Sequence, residues 1–173
     1  SERGIKMYRI GEQIVYGVHG VCTVSAVTDR TVDRKTHRYY VLESAEQKGA
    51  TYFVPQDNEA ALSRMHRILS REQLLSLLQS EAVRRDVWIP DEVQRKQRYH
   101  DLLASGDRTE LICMVRTLRR QKQGQQAAGK KFHLCDENFL RDAERMLDSE
   151  FSVVLCLPRE QISDYVHEVM SHS

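Results

Sequence analysis

The hydrophobic period changes once along this chain, and that change limits the possible folds more than any single motif does. Up to about Pro55 the apolar positions recur every second residue. Cys22, Val24 and Ala26 interleave with Thr23, Ser25 and Val27, and residues 39–43 and 51–54 continue as strand-like runs between polar turns at 33–36 and 47–49. Several short strands within about 50 residues imply a small, strongly bent antiparallel sheet or barrel. From about Leu62 the spacing becomes helical. Ser70 with Gln73 has the form of a capping box opening a helix over 71–79, and Pro90-Asp91 opens another that runs to about Ala104. Gly106 then stops that helix, and Asp107 with Glu110 starts the next, whose buried stripe is Leu111, Val115 and Leu118. After a loop over 123–131, Leu140, Ala143, Leu147, Phe151 and Val154 mark a long amphipathic helix, and Pro158 begins a last one through Ile162, Tyr165, Val166 and Val169. The expected architecture is α+β, with a β module over residues 7–60 followed by an all-helical module over 61–173. Residues 1–6, SERGIK, read as a lead-in to Met7 as native start, outside the fold.

The first strand is broken by glycine unusually often. In RIGEQIVYGVHGVCTV, residues 9–24, Gly11, Gly17 and Gly20 interrupt an apolar run that glycine ordinarily weakens. A barrel this small must turn its strands sharply, and glycine allows the bulges and close backbone approaches at its corners. Gly17 and Gly20 are placed to bracket a corner between strands at 13–16 and 21–28.

Charge divides the helical half again. The net charge is only +1, yet residues 84–131 hold 12 Lys/Arg against 6 Asp/Glu, while residues 132–173 hold 3 against 9. The basic clusters RKQR (95–98), RTLRRQK (116–122) and GKK (129–131) fall in one segment and point to an anionic partner, or else to solvated helix faces. Cys22, Cys113, Cys135 and Cys156 are too widely spaced for a zinc site, so reduced thiols and no metal or cofactor are expected. No apolar run reaches the ~18 residues of a membrane span and no signal pattern opens the chain, so a cytoplasmic protein without membrane contact is expected. Walker-type, HExxH and GxSxG motifs are absent, and His19 in GVHG has no nucleophile or carboxylate nearby in sequence. The chain does not read as an enzyme.

IGEQIVYGVHGVCTV, with YYVLE (39–43), YFVP (52–55), RYHDLLASGD (98–107) and VRTL (115–118), resembles the CarD/CdnL family of bacterial transcription regulators over most of residues 7–155. The first half also resembles the polymerase-interaction domain of the transcription-repair coupling factor Mfd. The resemblance implies that the β module is a Tudor/SH3-like small barrel that binds the RNA polymerase β subunit. It implies further that the helical module contacts promoter DNA at the upstream edge of the melted region and alters open-complex stability. A monomer is expected.

Residues then fall into two candidate groups. The polymerase-binding group is Arg30, Arg34, Arg38, Tyr39, Val41 and Phe53, on a basic, Val- and Tyr-rich stretch suited to docking or equally to edge protection. Relatives commonly carry a basic contact at the position of Arg30, and often another where this chain has Phe53. The DNA-binding group is Arg95, Lys96, Arg98, Arg116, Arg119, Arg120, Lys130 and Lys131, with Trp88. Where relatives carry a minor-groove Trp, this chain has Arg95. Trp88 either wedges into DNA from a different turn or packs on the helical core. The competing reading is a protein-interaction adaptor that never touches DNA.

Overall fold

The computed structural model describes residues 7–172; the reading of residues 1–6 lies outside them. The chain divides into two compact units, the first ending at Ile68 and the second beginning at Leu69.

The first unit is built on β1 (Gln13–Tyr16), β2 (Val21–Val32), β3 (Lys35–Ser44), β4 (Thr51–Pro55) and β5 (Met65–Arg67), with a single helical turn, α1 (Glu59–Leu62), before β5. They form one antiparallel sheet in the order β4-β3-β2-β1-β5. Its core is Tyr8, Ile14, Cys22, Val24, Tyr40, Leu42, Val54 and Met65. The buried Tyr8 hydroxyl donates to the Met65 carbonyl, 3.0 Å, holding the segment before β1 against β5.

The corner between β1 and β2 is where the glycines place it. Residues Gly17–His19 make one 3-10 turn, and Gly20 follows at φ 74°, ψ −151°, a conformation essentially restricted to glycine. Two details differ from the alternation read in the sequence. A bulge between Val24 and Ala26 shifts the register, so Val27 rather than Ala26 packs against the core. β2 also continues to Val32 and the connection to β3 shrinks to two residues, Asp33 and Arg34. The boundary expected at 60/61 lies at 68/69, because Met65–Arg67 pairs with Gln13–Tyr16 and so adds a strand to the sheet.

The second unit contains α2 (Arg71–Gln79), α3 (Glu92–Ser105), α4 (Arg108–Ala127), α5 (Leu134–Leu155) and α6 (Arg159–Ser171). Its ends follow local chemistry. Ser70 and Gln73 make the reciprocal capping box, Asp91 and Asp107 accept from the amides of Gln94 and Glu110, and Gly106 ends α3 in the left-handed conformation. α4 runs on through Gly124 to Ala127, so the expected loop over 123–131 is only its second half; one helical glycine costs about 1 kcal/mol, and the glutamines around it are good helix formers that favour continuing the helix. The core centres on Tyr99, Leu111, Met114, Leu118, Phe151 and Ile162, all nearly inaccessible. Among the described residues no helix is long and apolar enough to cross a membrane.

Candidate functional site

On the sheet, alternation decides which of the basic and aromatic residues share a face. Tyr40 and Leu42 point into the core, so their neighbours Tyr39 and Val41 point outward. Across the strands, Val41 stands between Ala26 and Phe53, and Tyr39 between Thr28 and Pro55. Arg30 occupies the next outward position of β2, opposite His37. Its guanidinium lies 3.8 Å from the centre of the Phe53 ring. Cation–π geometry of this kind lets the long Arg30 side chain hold one orientation on a surface that would otherwise leave it free. The aromatic at position 53 therefore does not merely replace a basic group; it carries one supplied by β2.

His37 extends the same face. Its Nδ1 lies 2.7 Å from Asp57 Oδ2, and that hydrogen bond lowers the Asp57 carboxyl below its ordinary range. The pair ties the segment after β4 to β3. Neither residue was among the sequence candidates, although His37 stands in the same alternation as Tyr39 and Val41. β4 is an edge strand of the sheet, and its outer backbone groups can extend onto a partner strand.

Two sequence candidates do not join this face. Arg38 alternates to the opposite side and reaches Asp29 at 3.3 Å, both ends largely exposed, a contact of little energetic weight. Arg34 sits at the tip of the β2–β3 hairpin. The structure thus brings together Arg30, Tyr39, Val41 and Phe53, with His37, and leaves Arg34 and Arg38 apart.

In the helical unit the largest correction concerns Arg95. Read as a surface contact, it is 3% exposed, and its Nε and Nη2 donate to the two oxygens of the fully buried Asp136 at 2.9 and 3.0 Å. Its remaining Nη1 donates to the carbonyls of Ile89 and Pro90, and its guanidinium lies 4.3 Å from the Trp88 ring centre. Arg95 is a buried clamp that holds the chain before α3 against α5, not a group offered to DNA. Trp88 is half-buried on the helical core, as the packing alternative expected. The Tyr99 hydroxyl donates to the Val87 carbonyl nearby, and burial pushes its ionisation well above the ordinary tyrosine range.

The charge division closes largely on itself. Basic residues of 84–131 pair with acidic residues of 132–173: Arg95 with Asp136, Arg108 with Glu150, Arg119 with Glu144 and Lys122 with Glu137. Arg108 grips the buried Glu150 through two bonds of 2.6 and 2.7 Å, and Glu150 also accepts from the Leu69 amide, fixing the first residue of the unit. Lys96 pairs with Glu92 and Arg120 lies 3.8 Å from Asp86. Arg116 donates to the Val83 carbonyl, and burial pushes its guanidinium down from its usual value. Among the described residues, Arg98, Arg116, Lys130 and Lys131 have no carboxylate partner, and these remain of the sequence candidates for phosphate contact. The partners Asp136 and Glu150 gave no sequence signal, because each lies more than 40 positions from its arginine.

Residues 8–67 match the CarD-like/TRCF RID domain family, a span that coincides with the sheet unit. The chain is also similar to the Bacillus subtilis (strain 168) protein "Putative transcription factor YdeB", at 25% identity over 165 residues, covering 92% of this chain and 99% of that protein.

Proposed function

We propose, from a sheet unit that matches the CarD-like/TRCF RID domain family, a bacterial transcription regulator that docks on the RNA polymerase β subunit. The observation that carries this reading is the outward face of Arg30, Tyr39, Val41 and Phe53 beside the β4 edge. It combines a preoriented cation and an apolar centre, which can select side chains of a partner, with a strand edge whose backbone groups can pair with an added strand. Similarity to a protein named as a transcription factor along nearly its whole length supports extending the reading to both units. No catalytic step is assigned to any residue.

The test is binding of the full chain to a recombinant fragment of the polymerase β subunit. Arg30→Glu should weaken association at least tenfold, since reversing a charge at a complementary rim introduces like-charge contact. No detectable association of the unaltered chain at high micromolar concentration would remove the reading.

For the helical unit the proposal is contact with promoter DNA near the upstream edge of the melted region, altering open-complex stability. The cations left for it are Arg98, Arg116, Lys130 and Lys131. Alanine at all four should lower the salt dependence of forked-DNA binding by roughly 0.9 in log–log slope for each duplex phosphate that is no longer neutralised. A second reading, an adaptor that never touches DNA, is favoured by one observation: most basic side chains of 84–131 are already neutralised within the chain. An unchanged slope would select it.

A further inference from the structure

The β2–β3 hairpin extends past the core of the sheet unit. Beyond Val27 and Tyr40 it carries five further rungs; those from Thr28↔Tyr39 to Arg30↔His37 lie beside Pro55–Asp57, and the last two, Thr31↔Thr36 and Val32↔Lys35, extend roughly 7 Å further at strand spacing with no third strand paired to them among the described residues. Nothing in the core of the unit requires that length. The connection is a two-residue turn in which both Asp33 (φ 51°) and Arg34 (φ 64°) adopt the left-handed conformation. Such primed turns strongly favour Asn or Asp followed by Gly, because a Cβ is strained in the second position. Arg34 stands where glycine would relieve the backbone. Its side chain makes no hydrogen bond or ion pair among the described residues, so no polar contact offsets the strain.

We propose that this hairpin tip is a second contact with the protein partner of the sheet face, with Arg34 at the apex meeting a carboxylate-bearing surface. The inference rests on the docking reading and extends it along the same hairpin from Arg30. A protein partner fits the tip better than nucleic acid does. Asp29 and Asp33 interleave with Arg34, Lys35 and Arg38, a mixed-sign pattern that a phosphate backbone would partly repel and a protein surface can complement. Val32, half exposed at the base of the turn, adds an apolar contact.

The test compares the unaltered full chain with Arg34→Gly, Arg34→Asn and Arg34→Lys for binding to the polymerase β fragment and, separately, to forked DNA. Glycine and asparagine accept the left-handed conformation, so both variants should melt no lower than the unaltered chain. Both should nevertheless bind the β fragment roughly 3- to 10-fold more weakly, as removal of a rim charge does, while the lysine variant stays within about twofold. Unaltered affinity in the glycine and asparagine variants, with the parent chain binding normally, overturns the tip contact and leaves the docking face standing. If the parent chain fails to bind the fragment, both readings fall. Weakened DNA binding with unchanged β-fragment binding assigns the tip to nucleic acid and overturns the proposal. A lowered melting temperature in both variants also overturns it, because Arg34 would then be holding the hairpin rather than presenting a charge.

Discussion

Replacing Asp136 by alanine should be among the most damaging single changes in this chain. The carboxylate is fully buried and receives two charge-assisted bonds from Arg95, which is itself 3% exposed. Without it, Arg95 keeps two carbonyl acceptors, at Ile89 and Pro90, and the face of Trp88, none of which neutralises a buried charge. Breaking a buried pair in this way costs about 3–5 kcal/mol. For a unit of this size each kcal/mol lowers the melting temperature by roughly 4–8 °C, so a drop of about 15–30 °C is expected. Replacing both partners by leucine should be gentler than Asp136→Ala alone. The buried charge disappears, and what remains is the lost donor to the half-buried Ile89 carbonyl, about 1–3 kcal/mol, since Pro90 is exposed and water can replace its donor. The assay is urea unfolding followed by tryptophan fluorescence, because the chain's one tryptophan, Trp88, lies against Arg95 and reports on the second unit. A cycle of the two singles and the double should give a coupling energy above about 2 kcal/mol. A cost below about 1 kcal/mol for Asp136→Ala, with an unchanged denaturant slope, would refute the clamp and return Arg95 to the surface.

Three further outcomes follow from the geometry. Gly20→Ala should destabilise the sheet unit by about 1–3 kcal/mol, read from the unfolding of a fragment spanning residues 7–68, since φ 74°, ψ −151° is closed to residues with a Cβ. Asp148 is pushed up to about 6 by burial, with Glu144 adding to the effect and Arg119 and Arg159 opposing it. Its folded value lies above the unfolded one, so its protonation stabilises the fold most below about pH 4, and that contribution is lost as pH rises through about 6. Asp148→Asn should therefore stabilise the chain at about pH 7.5 by on the order of 1–3 kcal/mol and much less at about pH 4; an equal effect at both would contradict this. Finally, the two hydrophobic clusters share no residue, so residues 69–173 alone should melt cooperatively with a helical far-UV spectrum, and a noncooperative transition would show a missing part of the core.

The elements that the sequence determines by itself are those whose causes lie within about four residues. Ser70 and Gln73, Asp91 and Gln94, and Asp107 and Glu110 cap amides three positions away, and Gly17 and Gly20 turn a corner three residues long; each signal and its effect are adjacent in the chain. The helical stripes through Leu111, Leu140 and Ile162 belong to the same class, since period alone places them on a buried face. Legibility fails where the partner is distant. Arg95 looks like any cation in a basic segment until folding brings Asp136, 41 positions on, within 2.9 Å; a sequence shows the charges but not which will be desolvated together. The domain boundary moved for the same reason, since a three-residue strand is recognisable only by its pairing with β1, some fifty residues earlier. On the sheet, one bulged residue between Val24 and Ala26 reset which side chains of β2 face outward, and so brought Arg30 to Phe53; Arg38 on β3 lies on the other face by alternation with Tyr40 and Leu42. Local chemistry set where strands and helices begin and end; tertiary structure decided which charges are buried and which are presented, because burial depends on contacts that close only when distant segments meet.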